Sequence, residues 1–139
     1  MKKLMILVGL AVSAVLPATA SADKVHNVVS IHADQYFCCT EEIYGSVESA
    51  KPKCERNRTI RLFHRPSGDM KRGLDGFQVI DSTTTDGQGE YSFQGNVEKK
   101  GGSFDSGEYF ARATKAVRGN DVCVFDDSRV IELNDSYLR

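Results

Sequence analysis

A chain of 139 residues with 27% charged side chains has room for one domain with a modest core. Its 18 lysines and arginines against 19 aspartates and glutamates give a formal net charge of −1. That balance excludes the basic excess of a general nucleic-acid or anionic-membrane binder.

The chain opens with Lys2 and Lys3, runs apolar from Leu4 to Leu16, and breaks at Pro17. Two small-residue sites follow, Ala18-Thr19-Ala20 and Ala20-Ser21-Ala22. This is the layout of a secretory signal peptide over 1–22, and the run is too short to cross a bilayer as a helix. Cleavage after Ala22 starts the mature chain at Asp23 and moves its net charge to about −3, still a mild value. No second long apolar run follows. The expected product is secreted or periplasmic, with no membrane insertion once the leader is removed.

Helical periodicity is hard to find beyond the leader, whereas short strands and turn signals recur. Residues 23–42 read as an N-terminal extension or edge strand. Within it Val25–Ile31 is a strand candidate, and Asp34–Glu42 shows no clear period. From 43 to 134 the alternation sharpens. Ile43, Gly45 and Val47 share one face, and Pro52 interrupts the chain after them. Thr59–His64 then alternates, with Ile60 and Leu62 on one side; this is the period-two signature of a half-buried strand. Arg65–Asp69 is a turn, Phe77–Thr84 a β-branched strand, and Asp86-Gly87-Gln88-Gly89 a tight reversal. Tyr91 and Phe93 then point the same way. Tyr109, Ala111 and Ala113 share a face, Gly119-Asn120-Asp121 turns, and Ile131 aligns with Leu133. The sum is an all-β domain of about seven strands, which suggests an antiparallel Ig-like β-sandwich, with 135–139 as a C-terminal tail.

All four cysteines, Cys38, Cys39, Cys54 and Cys123, follow the leader. In an oxidising compartment they are expected to pair, and four cysteines allow three connectivities. A Cys54–Cys123 bridge would close a loop of about 70 residues and remove about 4 kcal/mol of unfolded-state freedom. A vicinal Cys38–Cys39 ring would constrain almost nothing beyond its own peptide, although a strained ring is a potential redox or ligand switch.

One ordered set of motifs has a family likeness. It comprises Gly45-Ser46-Val47, Cys54 with Arg58-Thr59-Ile60-Arg61-Leu62, and the stretch from Ser82 to Phe93 through Asp86-Gly87-Gln88-Gly89-Glu90-Tyr91. Gly107-Glu108-Tyr109-Phe110-Ala111-Arg112-Ala113, Cys123 and Ser128-Arg129-Val130 complete it. The set resembles exported transthyretin-like (prealbumin-like) and carboxypeptidase-regulatory-like β-sandwich modules over about Ile43 to Leu133. The resemblance implies a Cys54–Cys123 disulfide. It supplies no counterpart for Cys38 and Cys39.

Some transthyretin-like relatives hydrolyse a purine-breakdown intermediate, with tunnel histidines and an arginine and a C-terminal Tyr-Arg-Gly-Ser. This chain ends Asp135-Ser136-Tyr137-Leu138-Arg139, and His64 is the sole histidine within the matched stretch. The sequence holds no G-x-S-x-G elbow, phosphate loop or H-E-x-x-H pair. The expected function is therefore a binding or structural module without catalysis and without a cofactor, its partner an unidentified protein or carbohydrate. The alternative is a periplasmic redox- or metal-active protein using His26, His32, Cys38 and Cys39, whose spacing matches no compact ligand pattern. Asp81, Asp86, Asp126 and Asp127 sit in or beside turns and read as caps. Asn57-Arg58-Thr59 and Asn134-Asp135-Ser136 are glycosylation sequons, discounted by the bacterial look of the dilysine leader. Lys51, Lys53, Arg56, Arg58, Arg61 and Arg65 read as a solvated basic face.

Overall fold

The computed structural model describes residues 21–36, 39–69, 72–95 and 103–134. Residues 1–20 of the expected leader, Cys38 and the tail from Asp135 lie outside the described residues. The first half contains β1 (Asp23–Val25), β2 (Asn27–Val29), β3 (His32–Tyr36), β4 (Cys39–Ser49), a 3-10 turn at Pro52–Cys54 and β5 (Thr59–Pro66). The second half contains β6 (Gln78–Thr84), β7 (Glu90–Gln94), β8 (Gly107–Ala113), β9 (Ala116–Arg118), β10 (Asp121–Cys123), β11 (Asp126–Asp127) and β12 (Ile131–Leu133). No α-helix occurs among the described residues.

Two larger sheets carry the fold. In one, β8 pairs with β5, β5 with β6, and the short β11 and β12 both pair with β8. In the other, the long β4 pairs with β2 and β3 on one edge and β7 on the other. All of these pairings are antiparallel. The inward positions follow the period-two alternation of the sequence. Ile60, Leu62, Tyr109, Ala111, Ala113 and Leu133 from the first sheet join Val29, Ile43, Val47, Tyr91 and Phe93 from the second in one buried cluster. At about 25 cal/mol per Å² of apolar surface removed from water, this shared cluster is the main favourable term in folding.

Residues 23–36, within the stretch 23–42 expected as an extension or edge strand, contribute three strands and bury Val25, Val29 and Ile31. The expected single strand Val25–Ile31 is broken at His26. β1 pairs parallel with β10, while β2 turns to pair antiparallel with β4. Asn27 explains the break. Its backbone N–H donates to the Asp126 carboxylate (2.7 Å), and its Nδ2 donates to the same carboxylate and to the Val124 carbonyl. The ladder then resumes through Ser30, whose Oγ accepts from the Ser46 N–H (2.8 Å).

Strand β6 lies at the end of its sheet among the described residues, and almost all of its side chains are exposed. A register shift opposite Leu62/Phe63 leaves Ile80 unpaired, and Asp81 stands opposite the core residue Leu62. A bulge and a charge on the core-facing side both oppose edge-to-edge pairing of copies.

Two features pin the small third sheet, β1–β10–β9, to the rest. The Cys54–Cys123 disulfide links the 3-10 turn to β10, with both residues fully buried. Beside it, Asp121 accepts from Lys51 (2.6 Å) and pairs with Lys53 (2.5 Å).

Arg58 departs from the expected solvated basic face, because it is completely buried. Its Nη1 donates to the Cys54 carbonyl (2.8 Å), its Nε and Nη2 to the Thr114 carbonyl, and Nη2 also to the Val124 carbonyl (3.0 Å). Burial lowers its pKa, and the nearby Asp126 charge opposes that shift. Arg65 is also buried, held by Glu108 and by the Gly73 and Asp75 carbonyls.

Two predictions follow from these pins. Arg58→Met would leave three carbonyls without their charged donor and should lower unfolding stability by about 3 kcal/mol or more, measured by chemical denaturation. Asp121, held by hydrogen bonds from Lys51 and Lys53, has its pKa lowered from the ordinary 3.8. A depressed folded-state pKa contributes stability above the unfolded value, and that stability fades as pH falls through the folded one. The melting temperature of Asp121→Asn should therefore lie below wild type at neutral pH, with the gap closing as pH falls below the ordinary 3.8 and through the lowered folded-state value.

Candidate functional site

The outward positions of β3, β4 and β7 are polar. His32 and Asp34 from β3 lie in register with Tyr44 and Glu42 of β4, and Ser92 and Gln94 of β7 continue the rows. This parity places the inward Ile43, Val47 and Phe93 beneath a hydrophilic floor. The chain from Thr83 to Asp86, leaving β6, borders the floor on the β7 side. Together they enclose an open concavity of about 770 Å³, lined by His32, Asp34, Glu42, Tyr44, Ser46 and Glu90 among others.

Several contacts fix its shape. The His32 and Tyr44 rings stack with centroids 5.6 Å apart, and Tyr44 stays 37% exposed. Asp86 turns back on its own loop, its Oδ1 accepting from the Gln88 and Glu90 N–H groups (2.8 and 2.9 Å). It thus caps the reversal, as its turn position suggested. Only the second glycine of that reversal adopts a positive φ, Gly89 at 82°; a Cβ there would lie 2.6 Å from the Val47 carbonyl oxygen. At the back of the floor, Tyr91 donates its hydroxyl to the Ser30 carbonyl. Burial raises the Tyr91 pKa and keeps the phenol protonated. Gly45 is the residue that admits this contact. A Cβ at Gly45 would run into the Ser30 carbonyl and lie 2.7 Å from the Tyr91 hydroxyl.

The opposite outer face belongs to β5 and β8. Phe63 and Phe110 stack at 4.5 Å, Phe77 meets Phe110 edge-on at 5.0 Å, and Arg65 lies over Phe77. Arg112 lies over Phe63, Phe110 and Phe125, and its guanidinium grips Asp127 through Nε (2.5 Å) and Nη2 (2.8 Å). The result is an aromatic surface with arginines and carboxylates interspersed, on which Phe125 is 59% exposed.

The residues singled out from sequence are dispersed. Cys54 and Cys123 are joined. His26 stands 3.7 Å from Asp126, whereas His32 belongs to the concave floor. Cys38 is outside the described residues, and Cys39 begins β4. Among the described residues no group of three or more His, Cys, Asp or Glu is arranged to hold a metal ion. His64 stacks on Tyr109 at 4.5 Å, and its Nε2 lies 3.2 Å from the Ser106 carbonyl. Asp81 receives the Ser82 N–H, and Asp126 and Asp127 hold Asn27 and Arg112. The concave floor itself was missed from sequence, although β4 and β7 both announce their outward positions by alternation.

No protein-family model matches the chain, and no curated protein or solved structure matches it significantly.

Gly45→Ala should destabilise the fold by about 1–3 kcal/mol, because backbone and a buried phenol must both move. Gly87→Ala, where nothing lies within 4 Å of the added carbon, should cost no more than about 0.5 kcal/mol. Denaturant midpoints of the two variants provide the comparison.

Proposed function

We propose that this chain is an exported β-sandwich of the transthyretin-like kind, pinned by its disulfide, that works without catalysis as a binding module. Several observations support the reading. Residues from both larger sheets share one apolar cluster, as the two layers of a sandwich do. The buried Cys54–Cys123 bridge suits an oxidising compartment, in keeping with the signal-peptide layout of 1–22. Among the described residues no helix is long and apolar enough to cross a membrane.

The observation that carries the binding role is the concave outer face of β3, β4 and β7. It combines the half-exposed Tyr44 with Asp34, Glu42 and Glu90 in one recess, and a partner there would be a protein or a carbohydrate. A flat or recessed sheet surface with an aromatic and flanking polar groups offers contact area together with orientation. His64, the residue on which a hydrolase reading would rest, is occupied by Tyr109 and the Ser106 carbonyl.

Immobilised mature protein, residues 23–139, should retain a partner from a cell-envelope extract containing proteins and glycans. Tyr44→Ala should lower that retention about ten-fold at an unchanged melting temperature. Equal retention by the variant would remove the concave face from this account.

A further inference from the structure

The outward positions of the concave face fall into rows that run across its strands. His32, Tyr44 and Ser92 are in register in one row. Asp34 and Glu42 begin the next, where Gln94 donates from Nε2 to the Glu42 carboxylate (3.0 Å). On the other side of the aromatic row stand Ser30, Ser46 and Glu90, the two serine hydroxyls 3.0 Å apart. Outward positions along a strand recur about every 7 Å. The two rings therefore lie midway between two rows of hydrogen-bonding groups.

The lining has a narrow chemistry. Apart from His32, its titratable groups at the surface are the carboxylates of Asp34, Glu42, Asp86 and Glu90, and no lysine or arginine lines it among the described residues. An ionised carboxylate only accepts hydrogen bonds, whereas the serine and threonine hydroxyls of the lining can donate as well. Tyr44 is the one large hydrophobic side chain that is exposed there among the described residues. Asp34 stands directly opposite Glu42, which costs a sheet stability. Donors brought from outside would offset that cost.

We infer that the recess takes an oligosaccharide without acidic groups. One pyranose ring packs its C–H face on the His32–Tyr44 pair, and its hydroxyls donate to Asp34 and Glu42 on one side and to Glu90 on the other. This rests on the binding role proposed above and names its ligand. A sugar supplies many O–H donors, and bonds from them to carboxylates are of the stronger, charge-assisted kind. Its C–H face is apolar and suits an aromatic ring. The stack, with centroids 5.6 Å apart, already orders both rings, so binding loses little rotamer freedom there. Size separates a glycan from a protein partner. The thirteen described residues that line the recess are about half of the 20–30 that one side of a stable protein interface supplies. Its volume of about 770 Å³ falls within the range of about 300–1,000 Å³ for small-ligand sites. Uronate, sulfate or phosphate groups on the ligand would face carboxylates and are excluded.

Isothermal titration calorimetry of the mature protein, residues 23–139, tests the inference. The probes are cellohexaose, maltohexaose, mannohexaose and N-acetylchitohexaose, with polygalacturonate as the acidic comparison. At least one neutral hexamer should bind, and polygalacturonate should not. Tyr44→Ala should weaken that binding at least about ten-fold, whereas Tyr44→Phe, which keeps the ring, should stay within about three-fold of wild type. Asp34→Asn should also weaken it about ten-fold, at a melting temperature no lower than wild type because a like-charged opposition is removed. If Tyr44→Ala does not fold, Asp34→Asn and Glu42→Gln replace it with the same expected loss. Absence of binding by every neutral hexamer overturns the inference. So does polygalacturonate bound as tightly as the neutral probes, affinity unchanged by the substitutions, or weakening confined to variants that melt below wild type. Retention of an envelope protein through Tyr44, with no hexamer bound, removes the glycan and leaves the binding role. Loss of both removes the binding role of the concave face as well.

Discussion

The guanidinium of Arg58 lies at full burial with backbone carbonyls, and no carboxylate, at hydrogen-bond distance. A buried charge is expensive unless its donors are satisfied, and here the oxygens come from three separate places. Cys54 closes the 3-10 turn, Thr114 follows β8, and Val124 follows β10. The Val124 carbonyl also accepts from Asn27 Nδ2, and Arg58 draws all three oxygens to one point. The Cys54–Cys123 bridge spans the same junction, so sulfur and guanidinium act on one seam. Thr85 completes it, its hydroxyl accepting from the Arg58 N–H and donating to the Glu55 carbonyl. Because that seam is fixed, β1 and β10 can pair in parallel at the end of the molecule, a pairing of only three residues that would not persist alone.

Much of the central fold is legible in the sequence because its strands obey a two-residue period. Ile60 and Leu62, Tyr91 and Phe93, and Tyr109, Ala111 and Ala113 are all buried on one side, as their alternation requires. The same period extended one step back from Ile60 places Arg58 on the inward side. Residue type argued the other way, since arginine is almost never fully buried unless its charge is satisfied, and here alternation prevailed. The first strands were harder to read for a different reason. Val25–Ile31 has suitable β-branched residues, but Asn27 bonds to Asp126, a partner 99 positions away, and nothing local announces that switch. Sequence alone leaves three cysteine connectivities open; loop-closure entropy favours the long Cys54–Cys123 bridge, and the structure forms it.

Surface function was less legible than the core, and the physical cause is general. Inward positions are restricted to apolar residues by the cost of burial, so their pattern is narrow. Outward positions tolerate almost anything, so a functional side chain there looks like a solvated one until the strands are placed in register. Asp34 and Glu42 lie eight positions apart and carry no signal as a pair. Only the β3–β4 hairpin, with its shift after Asp34, sets them side by side. Arg61 and Arg112 are farther apart still and meet only through the β5–β8 pairing.

The near-neutral total of the chain hides this arrangement. A formal charge of −1 supports no strong attraction to any partner when it is read as a sum. Folding distributes that sum unevenly: the strands of the β4 sheet carry carboxylates and no lysine or arginine, whereas Arg61, Arg65 and Arg112 share the β5–β8 face with Glu108, Asp127 and Glu132. The edge strand β6 adds a constraint of its own. Its bulge at Ile80 and the charge at Asp81 oppose contact through backbone edges, while the faces are left open.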